Sequence, residues 1–342
     1  MSTTAPMMST AAEGPTATLK STAVEGVYVP PPGFRFRLQS KDSGRVLVGN
    51  GEDDDWRVTN YGGGKVYDDQ WFTLRAIDGH PSDEYYLQSA DDRNGGRVVF
   101  SRQLYPGLYG EVGLYTTDHK DQHFKIEPGT GDKRDYFRLI GPHTKRVIFS
   151  RDELVSNYEL SGGPHNDHYF KFLYEDTVFD RVEYDIDHAT VTPQDPVLFT
   201  NTVTNETDAS NELEVDMRRG ASEVVSFEEQ HGINITETVT TGFGIPGIVD
   251  GEVTTGFEQT NNFTFGRSNT ITYEVGSSLQ VTVPPHSIQK VEATLSHSTI
   301  DLPARIYSKS KTLGIEVVTD AIYHGTPYYD ISYRVLEPEP WP

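Results

Sequence analysis

The sequence predicts an all-β protein with two parts, a closed N-terminal barrel and an elongated antiparallel module. Three observations lead to this fold class. The 342 residues include 31 Gly, 20 Pro, 19 Tyr and 16 Phe, and few segments show the periodicity of a helix. An internal repeat occupies the first half of the chain. Long segments of alternating polar and apolar residues, without helices between them, occupy the second half.

The composition limits the possible partners and the possible chemistry. A formal net charge of -22 at pH 7 argues against nucleic acid as a partner, because phosphate contacts need clustered Lys and Arg. The same charge argues against polybasic attachment to anionic lipid. The chain has no cysteine, which excludes disulfides, thiol catalysis and cysteine-type zinc sites.

Residues 1–26 are predicted to be a disordered tail. This segment is rich in Ser, Thr and Ala, and it lacks the basic start and the apolar core of a secretory signal. We therefore expect a soluble protein that is cytoplasmic or released without a classical signal peptide.

Residues 27–176 contain three copies of one pattern, an acidic turn followed by a segment that ends in an aromatic and a hydrophobic residue. The shared aromatic positions are Phe72, Phe124 and Phe170. The copies recur at intervals of about 50 residues, and two candidate strands precede each aromatic segment. Three such units favour a closed pseudo-threefold barrel, a β-trefoil, with these aromatic side chains in its core. In copy two, His123 takes the place of the first aromatic residue.

Polar residues at corresponding positions of copies two and three are candidates for a sugar site. Such a site needs an aromatic face, a carboxylate and a cationic or amide donor. The candidates are Ser101, Arg102, Tyr109 and Asp121 in copy two, and Ser150, Arg151, Tyr158 and Asp167 in copy three. Copy one lacks the Ser-Arg pair, so we expect its site to be degenerate. The alternative is that each Arg only pairs with the nearby Asp at the surface, a contact worth about 0–1 kcal/mol.

The second module, residues 177–342, contains a long amphipathic β-hairpin at residues 233–265. Its predicted apolar residues are Ile233, Ile235, Val239, Phe243, Ile245, Pro246, Ile248, Val249, Val253 and Phe257. Thr, Asn and acidic residues occupy the opposite parity. We place the turn at Gly244-Ile-Pro-Gly247, which makes the tip apolar. Hairpin tips in water usually consist of Asn, Asp and Gly, so something other than water is expected to meet this tip.

Two further expectations concern strand breaks and catalysis. Strands are expected at residues 289–295 and 304–307, with a break at Pro303. Glu228 and Glu229 are adjacent on a strand and therefore point to opposite faces, which argues against paired acid-base chemistry. The 11 His residues are scattered along the chain and form no His-Glu-x-x-His motif, so neither a metal site nor another cofactor is expected. We expect that the chain is not an enzyme.

The repeat segments and the hairpin also carry a family resemblance. The aromatic segments resemble the Gln-x-Trp/Phe signature of β-trefoil lectins. The segments Phe243-Gly-Ile-Pro-Gly-Ile-Val-Asp-Gly-Glu252 and Val281-Thr-Val-Pro-Pro-His-Ser-Ile-Gln-Lys-Val291 resemble the aerolysin-like β-pore-forming toxins. Together they resemble the fungal haemolytic pore-forming lectins, over about residues 26 to 336.

The resemblance implies a defence lectin that binds galactose-containing glycans on target cells. Subunits would then form a homo-oligomeric ring, and each would contribute its hairpin to a transmembrane β-barrel. A lone hairpin cannot cross lipid because its edge groups would be unpaired, whereas pooled hairpins close the sheet. Before insertion, the apolar face of the hairpin must be packed against the body of the module.

Two other functions remain open from the sequence alone. The first is a non-lytic agglutinin in which the second module only oligomerises. The second is a glycan-processing enzyme with a trefoil binding module, which would require two carboxylates that converge in a pocket of the second module.

Overall fold

A computed structural model describes residues 23–24, 27–51, 56–79, 83–103, 109–116, 118–233, 238–239, 243–249, 251–259 and 263–341. Within these ranges the chain is all-β, as the sequence predicts, and contains no α-helix. No helix in this part of the chain is long and apolar enough to cross a membrane. The predicted tail lies outside the described residues, except for Ala23–Val24, which pairs antiparallel with Val27–Tyr28.

The strands of the first half are β1 (Ala23–Val24), β2 (Val27–Tyr28), β3 (Phe36–Ser40), β4 (Val46–Gly49), β5 (Val58–Tyr61), β6 (Phe72–Ala76), β7 (Glu84–Ser89), β8 (Val98–Arg102), β9 (Glu111–Tyr115), β10 (His123–Pro128), β11 (Phe137–Gly141), β12 (Arg146–Arg151), β13 (Leu154–Glu159) and β14 (Tyr169–Tyr174). Short 3-10 helices lie at Asp68–Gln70, Asp92–Asn94, Lys120–Gln122, Gly131–Lys133, Leu160–Gly162, Asn166–His168 and Ile186–His188.

The strands of the second half are β15 (Thr177–Tyr184), β16 (Thr190–Pro193), β17 (Val197–Asn205), β18 (Asn211–Asp216), β19 (Arg219–His231), β20 (Thr238–Val239), β21 (Phe243–Val249), β22 (Glu252–Gln259), β23 (Phe263–Thr264), β24 (Asn269–Val275), β25 (Ser278–Val283), β26 (Ser287–Ser310), β27 (Glu316–Gly325), β28 (Tyr328–Val335) and β29 (Glu339–Pro340).

The first half forms a closed barrel with a threefold internal repeat, a β-trefoil. The barrel closes through the pairs β3–β6, β6–β7, β7–β10, β10–β11, β11–β14 and β14–β3. The remaining strands form the hairpins β4–β5, β8–β9 and β12–β13, one in each copy. Each predicted repeat therefore supplies four strands, two for the barrel wall and two for the cap.

The core of the trefoil contains the aromatic residues that define the repeat. Phe72, Phe124 and Phe170 are buried and belong to one apolar cluster with residues of all three copies. In each copy this aromatic residue lies on the last strand, whose alternate side chains point inward. The prediction that these residues fill the core is confirmed.

The second half is organised around one long strand, β26. This strand has 24 residues and spans about 80 Å at about 3.3 Å per residue. One edge of β26 pairs with β15, β16 and β17, and the other edge pairs with β27, β28 and β29. Away from the trefoil, the β18–β25 pair packs over β26 through a small apolar cluster that includes Val215, Val281 and Val291.

The predicted strand break at Pro303 is wrong, because Pro303 lies inside β26. Its carbonyl oxygen accepts a hydrogen bond of 2.9 Å from the Asp185 backbone N–H. The nitrogen of Pro303 faces the same edge of the strand, where β15 has ended and β16 has not begun. The sheet therefore needs no N–H donor at this position, and a proline is tolerated.

An apolar contact joins the trefoil to the second half. Tyr28 and Phe34 from the first half are buried against Ile233 and Val317 from the second. Tyr174 packs against the same cluster, and its hydroxyl donates a hydrogen bond of 2.8 Å to the Tyr28 carbonyl. We call these five residues the junction cluster.

We expect Phe124→Ala to lower the free energy of unfolding of the trefoil by about 3–5 kcal/mol, because it removes a buried ring that its neighbours cannot replace. Denaturant unfolding measures this change. Leu313→Ala, at an exposed position, is the control and should change stability by less than about 0.5 kcal/mol. Equal stability of the two variants would contradict a closed aromatic core.

Candidate functional site

The cap hairpins of the trefoil carry the predicted sugar-binding residues. In copy three, Arg151 ends β12 and pairs with Leu154 of β13. In copy two, Arg102 ends β8 and pairs with Glu111 of β9. Because successive side chains of a strand point to opposite faces, each Arg points outward and the preceding Ser points inward.

The inward direction corrects the prediction for Ser101 and Ser150. Both side chains are fully buried, so they do not line a surface site. The Ser150 hydroxyl accepts a hydrogen bond of 2.8 Å from Asn60, and its carbonyl accepts one of 2.9 Å from the Ser40 hydroxyl. Ser150 therefore links β12 to β3 and β5 of copy one.

In copy three, Arg151 reaches the predicted carboxylate. Its Nε and Nη2 atoms lie 2.8 Å and 2.6 Å from Oδ2 of Asp167. The side chain of Arg151 is half exposed, whereas that of Asp167 is almost fully buried. The hydrogen bond to Asp167 raises the pKa of Arg151. Among the described residues no hydrogen-bond donor reaches Oδ1 of Asp167.

Aromatic side chains stand beside this ion pair. Tyr158, which is 39% exposed, lies 6.1 Å from the ring of Tyr109 and 6.4 Å from that of His168, centroid to centroid. Tyr109 also contacts Phe149 at 5.2 Å. The sequence predicts that Tyr109 belongs to the site of copy two, whereas the structure places its ring against Phe149 and Tyr158 of copy three. We call the surface formed by Tyr109, Arg151, Tyr158 and Asp167 the corner of copy three. Burial lowers the pKa of His168 to about 4, so this ring is neutral near pH 7.

Copy two does not repeat this arrangement. The guanidinium of Arg102 bonds to Glu111, at 3.1 Å and 2.9 Å, instead of Asp121. Leu154 occupies the position equivalent to Glu111 in copy three and offers no carboxylate. Asp121 is half-buried in the Lys120–Gln122 turn. The four candidates predicted for copy two are therefore not brought together.

Copy one contains a feature that the sequence reasoning missed. An open surface pocket of about 580 Å³ is lined by residues that include Tyr61, Tyr67, Asp69 and Arg93. The rings of Tyr61 and Tyr67 meet edge to face at 5.4 Å. Tyr61 pairs with Val46 across its cap hairpin, just as Tyr158 pairs with Val147 in copy three. An alignment of the three cap hairpins by this pairing would have identified Tyr61 as a candidate.

The amphipathic hairpin is present, and its turn differs from the predicted one. β21 continues from Phe243 to Val249 and pairs with β22 up to Val249 and Glu252. The chain therefore reverses between Val249 and Glu252, and Gly251 there has φ +83°. Asp-Gly is a favoured sequence for a two-residue hairpin turn. The predicted turn at Gly244–Gly247 is wrong, and the register shifts there instead, between Ile245 and Gly247.

The register shift at Pro246 changes which residues are buried. Phe243, Ile245 and Ile248 are buried, whereas Val249 is 47% exposed. A proline cannot donate a hydrogen bond to the ladder, and it favours such an irregularity. On β21 the buried face therefore changes from Phe243 and Ile245 before the shift to Ile248 after it.

The other predicted hairpin residues are placed as follows. Val239 is buried and pairs with Phe263. Ile233 lies in the junction cluster instead of the hairpin face. Val253 is half-buried against the same core as the hairpin. The backbone of Phe257 pairs with Ile245, and Ile235 lies outside the described residues.

The apolar face of the hairpin packs against the nine-stranded sheet that is built around β26 and includes β15, β19 and β27. We call this the large sheet. Val239, Phe243, Ile245 and Ile248 share one buried cluster with residues of β19, β26 and β27. Five phenylalanine rings form its centre, with centroid distances of 5.1–6.2 Å between contacting pairs. They are Phe179, Phe227, Phe243, Phe263 and Phe265. The expectation that the body of the module covers this face is confirmed.

Two tyrosines hold the backbone of β21. The Tyr184 hydroxyl donates a hydrogen bond of 2.9 Å to the Gly244 carbonyl. The Tyr323 hydroxyl lies 3.3 Å from the Pro246 carbonyl and 3.4 Å from Oε1 of Glu223. Glu223 is buried, and this burial raises its pKa to about 7. A protonated Glu223 can donate to the Tyr323 oxygen, which leaves the Tyr323 hydrogen for Pro246.

Comparisons with known proteins follow the division of the chain into two halves. Residues 167–335 match the family described as Clostridium epsilon toxin ETX/Bacillus mosquitocidal toxin MTX2, so this part of the chain is a domain of that family. A search of curated proteins finds no match.

Solved structures match either one half or both. The structure titled "BEL beta-trefoil apo crystal form 3" is 30% identical, with 43% of this chain and 96% of that chain covered and a TM-score of 0.37. The aerolysin-like protein of Bombina maxima is 15% identical, with 46% and 97% covered and a TM-score of 0.31. The hemolytic lectin CEL-III is 15% identical, with 88% and 60% covered and a TM-score of 0.32. TM-scores this low carry no argument about function.

We expect the stability of the second half to decrease as the pH rises from about 4.5 to about 7. In this window folded Glu223 keeps a proton that the unfolded chain has released. Glu223→Gln should therefore raise the free energy of unfolding by about 1–3 kcal/mol at pH 8, with little change near pH 4.

Denaturant unfolding at several pH values measures this difference. Glu212→Gln, at an exposed position of β18, is the control and should leave the pH profile unchanged. A Glu223→Gln profile parallel to that of the unsubstituted chain would contradict the role of buried Glu223.

Proposed function

Because residues 167–335 form a domain of the ETX/MTX2 toxin family, we propose that this chain is a glycan-binding pore-forming toxin. The trefoil docks on galactose-containing glycans of a target cell. Subunits then associate into a ring, and each inserts its hairpin into a shared transmembrane β-barrel. The chain acts without a catalytic step and is a soluble protein until it reaches the target membrane.

The observation that best supports this proposal is that the apolar face of the hairpin is buried against the large sheet. Phe243, Ile245 and Ile248 are buried there by side chains that belong to other strands. Fully burying one such side chain is worth about 1.5–3 kcal/mol. The hairpin therefore leaves the sheet only if another apolar surface replaces these contacts, and the lipid interior is such a surface.

The pairing of the hairpin with the rest of the module supports its release as a unit. β21 and β22 form a two-stranded sheet of their own, as do β20 and β23. Within the described residues their ladders do not extend into the large sheet, so release breaks side-chain packing and a few bonds such as Tyr184–Gly244. In lipid the free edges must be paired by neighbouring hairpins, which makes a ring of subunits necessary.

The corner of copy three is the best-supported glycan site. It combines an exposed aromatic face at Tyr158, an outward cation at Arg151 and the carboxylate of Asp167. A galactose ring has an apolar face that can lie on the tyrosine, while its hydroxyls can accept hydrogen bonds from Arg151, which the buried Asp167 holds in place. Copy two offers less, because Arg102 pairs with Glu111 instead of Asp121, so its predicted residues do not converge.

We expect Arg151→Ala to weaken lactose binding at least about tenfold, because hydrogen bonds to charged groups contribute about 1.5–3 kcal/mol. Isothermal titration of the full chain with lactose measures this. Arg102→Ala is the matched control, since both arginine side chains are about half exposed, and it should change the affinity by less than about twofold. Equal losses in both variants would contradict the assignment of the site to copy three.

The insertion step can be followed with a single label, because the chain has no cysteine of its own. Val249 adjoins the hairpin turn and is 47% exposed, so Val249→Cys should fold normally. We expect an environment-sensitive dye at this position to brighten on vesicles that bear galactosides and to be quenched by lipid-borne quenchers. Leu198→Cys, 70% exposed on β17 outside the hairpin, should show no lipid quenching.

Dye release from the same vesicles separates the proposal from its main alternative. Leakage that lactose blocks is expected for a pore-forming lectin. Glycan binding without leakage would favour a non-lytic agglutinin. Leakage with no lipid quenching of the Val249 label would show that another segment inserts.

A further inference from the structure

Three potential metal ligands converge on one side of the trefoil, outside the glycan corner. Oε2 of Glu84 lies 3.5 Å from Nδ1 of His123 and 3.4 Å from Nε2 of His143. One ligand atom of each residue lies within 4.8 Å of the others. Glu84 comes from β7, His123 from β10 and His143 from the turn between β11 and β12. The sequence offered no metal-ligand spacing here because the three residues come from separate strands and a turn.

The cluster arises where copy two departs from the other copies. In copy one, the position of His123 is occupied by Trp71, and the guanidinium of Arg35 lies over its ring at 5.2 Å. Arg35 and Glu84 occupy equivalent positions on the opening strands. Copy two therefore replaces an arginine–aromatic contact with a carboxylate–imidazole contact. Both exchanges place metal-ligating groups where copy one has a packing contact.

The distances suit a tetrahedral cation. With metal–ligand bonds of about 2.0–2.1 Å, the edge between two ligand atoms is about 3.4 Å. The distances from Oε2 of Glu84 to the two imidazole nitrogens are both within 0.1 Å of that length. The third edge, between the two imidazoles, is at most 4.8 Å, so it must shorten by up to about 1.4 Å to reach the tetrahedral length. The His143 side chain is 31% exposed and can rotate to close this distance.

A second carboxylate orients one of the imidazoles. Oδ1 of Asp118 lies 3.5 Å from Nε2 of His123, the ring nitrogen that does not face Glu84. The Tyr86 hydroxyl donates a hydrogen bond to the same oxygen of Asp118. A carboxylate behind the ligating histidine is a usual feature of zinc sites, because it fixes the ring and raises its basicity.

The surroundings of the cluster include a cleft through which an ion can enter and a lysine that offsets part of the negative charge. Lys125 lies 3.8 Å from Oε1 of Glu84 and 2.8 Å from Asp83, so the nearby cation is shared between two carboxylates. Oε2 of Glu84 faces the histidines. A cleft of about 500 Å³, lined by Glu84 and Pro142 among others, opens beside the cluster.

We propose that Glu84, His123 and His143 form a binding site for a divalent transition metal of the Zn²⁺ class. Oε2, Nδ1 and Nε2 are the protein ligands, and water completes the coordination. The ion links β7 and β10 of copy two to the turn of copy three, so it stabilises the folded trefoil against unfolding.

Isothermal titration of the tag-free full chain with ZnCl₂ tests this site. One Zn²⁺ per chain should bind with a dissociation constant of about 10 µM or tighter, and His143→Ala should weaken it at least about tenfold. His286→Asn is the matched control, because His286 forms an exposed surface pair with Asp208, and it should bind Zn²⁺ as the unsubstituted chain does. Absence of stoichiometric binding, or equal affinity in His143→Ala, would overturn the proposal.

Two further measurements separate a coordination site from a structural contact. Co²⁺ bound in place of Zn²⁺ should give the intense visible absorption of a tetrahedral ion with nitrogen ligands, and Glu84→Gln should abolish it. Asp118→Asn should lower Zn²⁺ affinity about 10- to 100-fold while the melting temperature without metal stays unchanged. A Zn²⁺ affinity that is unaffected by both Glu84→Gln and Asp118→Asn would also overturn the proposal.

Discussion

The packing of five phenylalanine rings between the hairpin and the large sheet is the contact on which the second half depends. Phe243 and Phe263 come from the hairpin strands, and Phe179 and Phe227 come from the sheet. Without the hairpin, the inner surface of β19 and β26 would be open to water at several large apolar residues. Without the sheet, the hairpin would expose its own apolar face. The hairpin and the large sheet therefore each cover the apolar face of the other. If they separated, both faces would need a new apolar partner.

The trefoil illustrates how one scaffold gives three different corners. The barrel wall repeats closely, because every copy needs inward apolar side chains at the same register. The outward positions carry no such requirement, and single exchanges there redirect neighbouring charges. Glu111 holds Arg102 in copy two, whereas Leu154 at the same register leaves Arg151 to Asp167. Likewise, His123 in place of an aromatic ring completes a cluster with Glu84 and His143, and no second such cluster occurs among the described residues.

The sequence predicted what depends on strand periodicity and could not predict what depends on contacts between distant strands. The repeat of Phe72, Phe124 and Phe170 was sufficient for the trefoil, because buried positions recur with the pleat. The Ser-Arg pairs were treated as one unit, although adjacent residues of a strand face opposite ways and only the arginine reaches the surface. The glycan corner could not be assembled from one copy, because Tyr109 crosses from its own copy to the next. The hairpin turn was misplaced because a Gly-Pro segment normally marks a turn, whereas here Pro246 causes a register shift within a strand.

The position of Ile233 has a mechanical consequence. This residue leads into the hairpin, yet its side chain fills the junction cluster with Tyr28 and Phe34 of the trefoil. Its backbone N–H and carbonyl both bond to the Thr319 hydroxyl at 3.1 Å. If the hairpin extends as proposed, the force on it reaches the junction cluster first, because Ile233 belongs to that cluster. Withdrawal of Ile233 would then leave the contact between the trefoil and the second half with fewer apolar side chains. The two halves could change their relative tilt, so trefoils bound to an uneven surface would no longer fix the orientation of the second halves in the proposed ring.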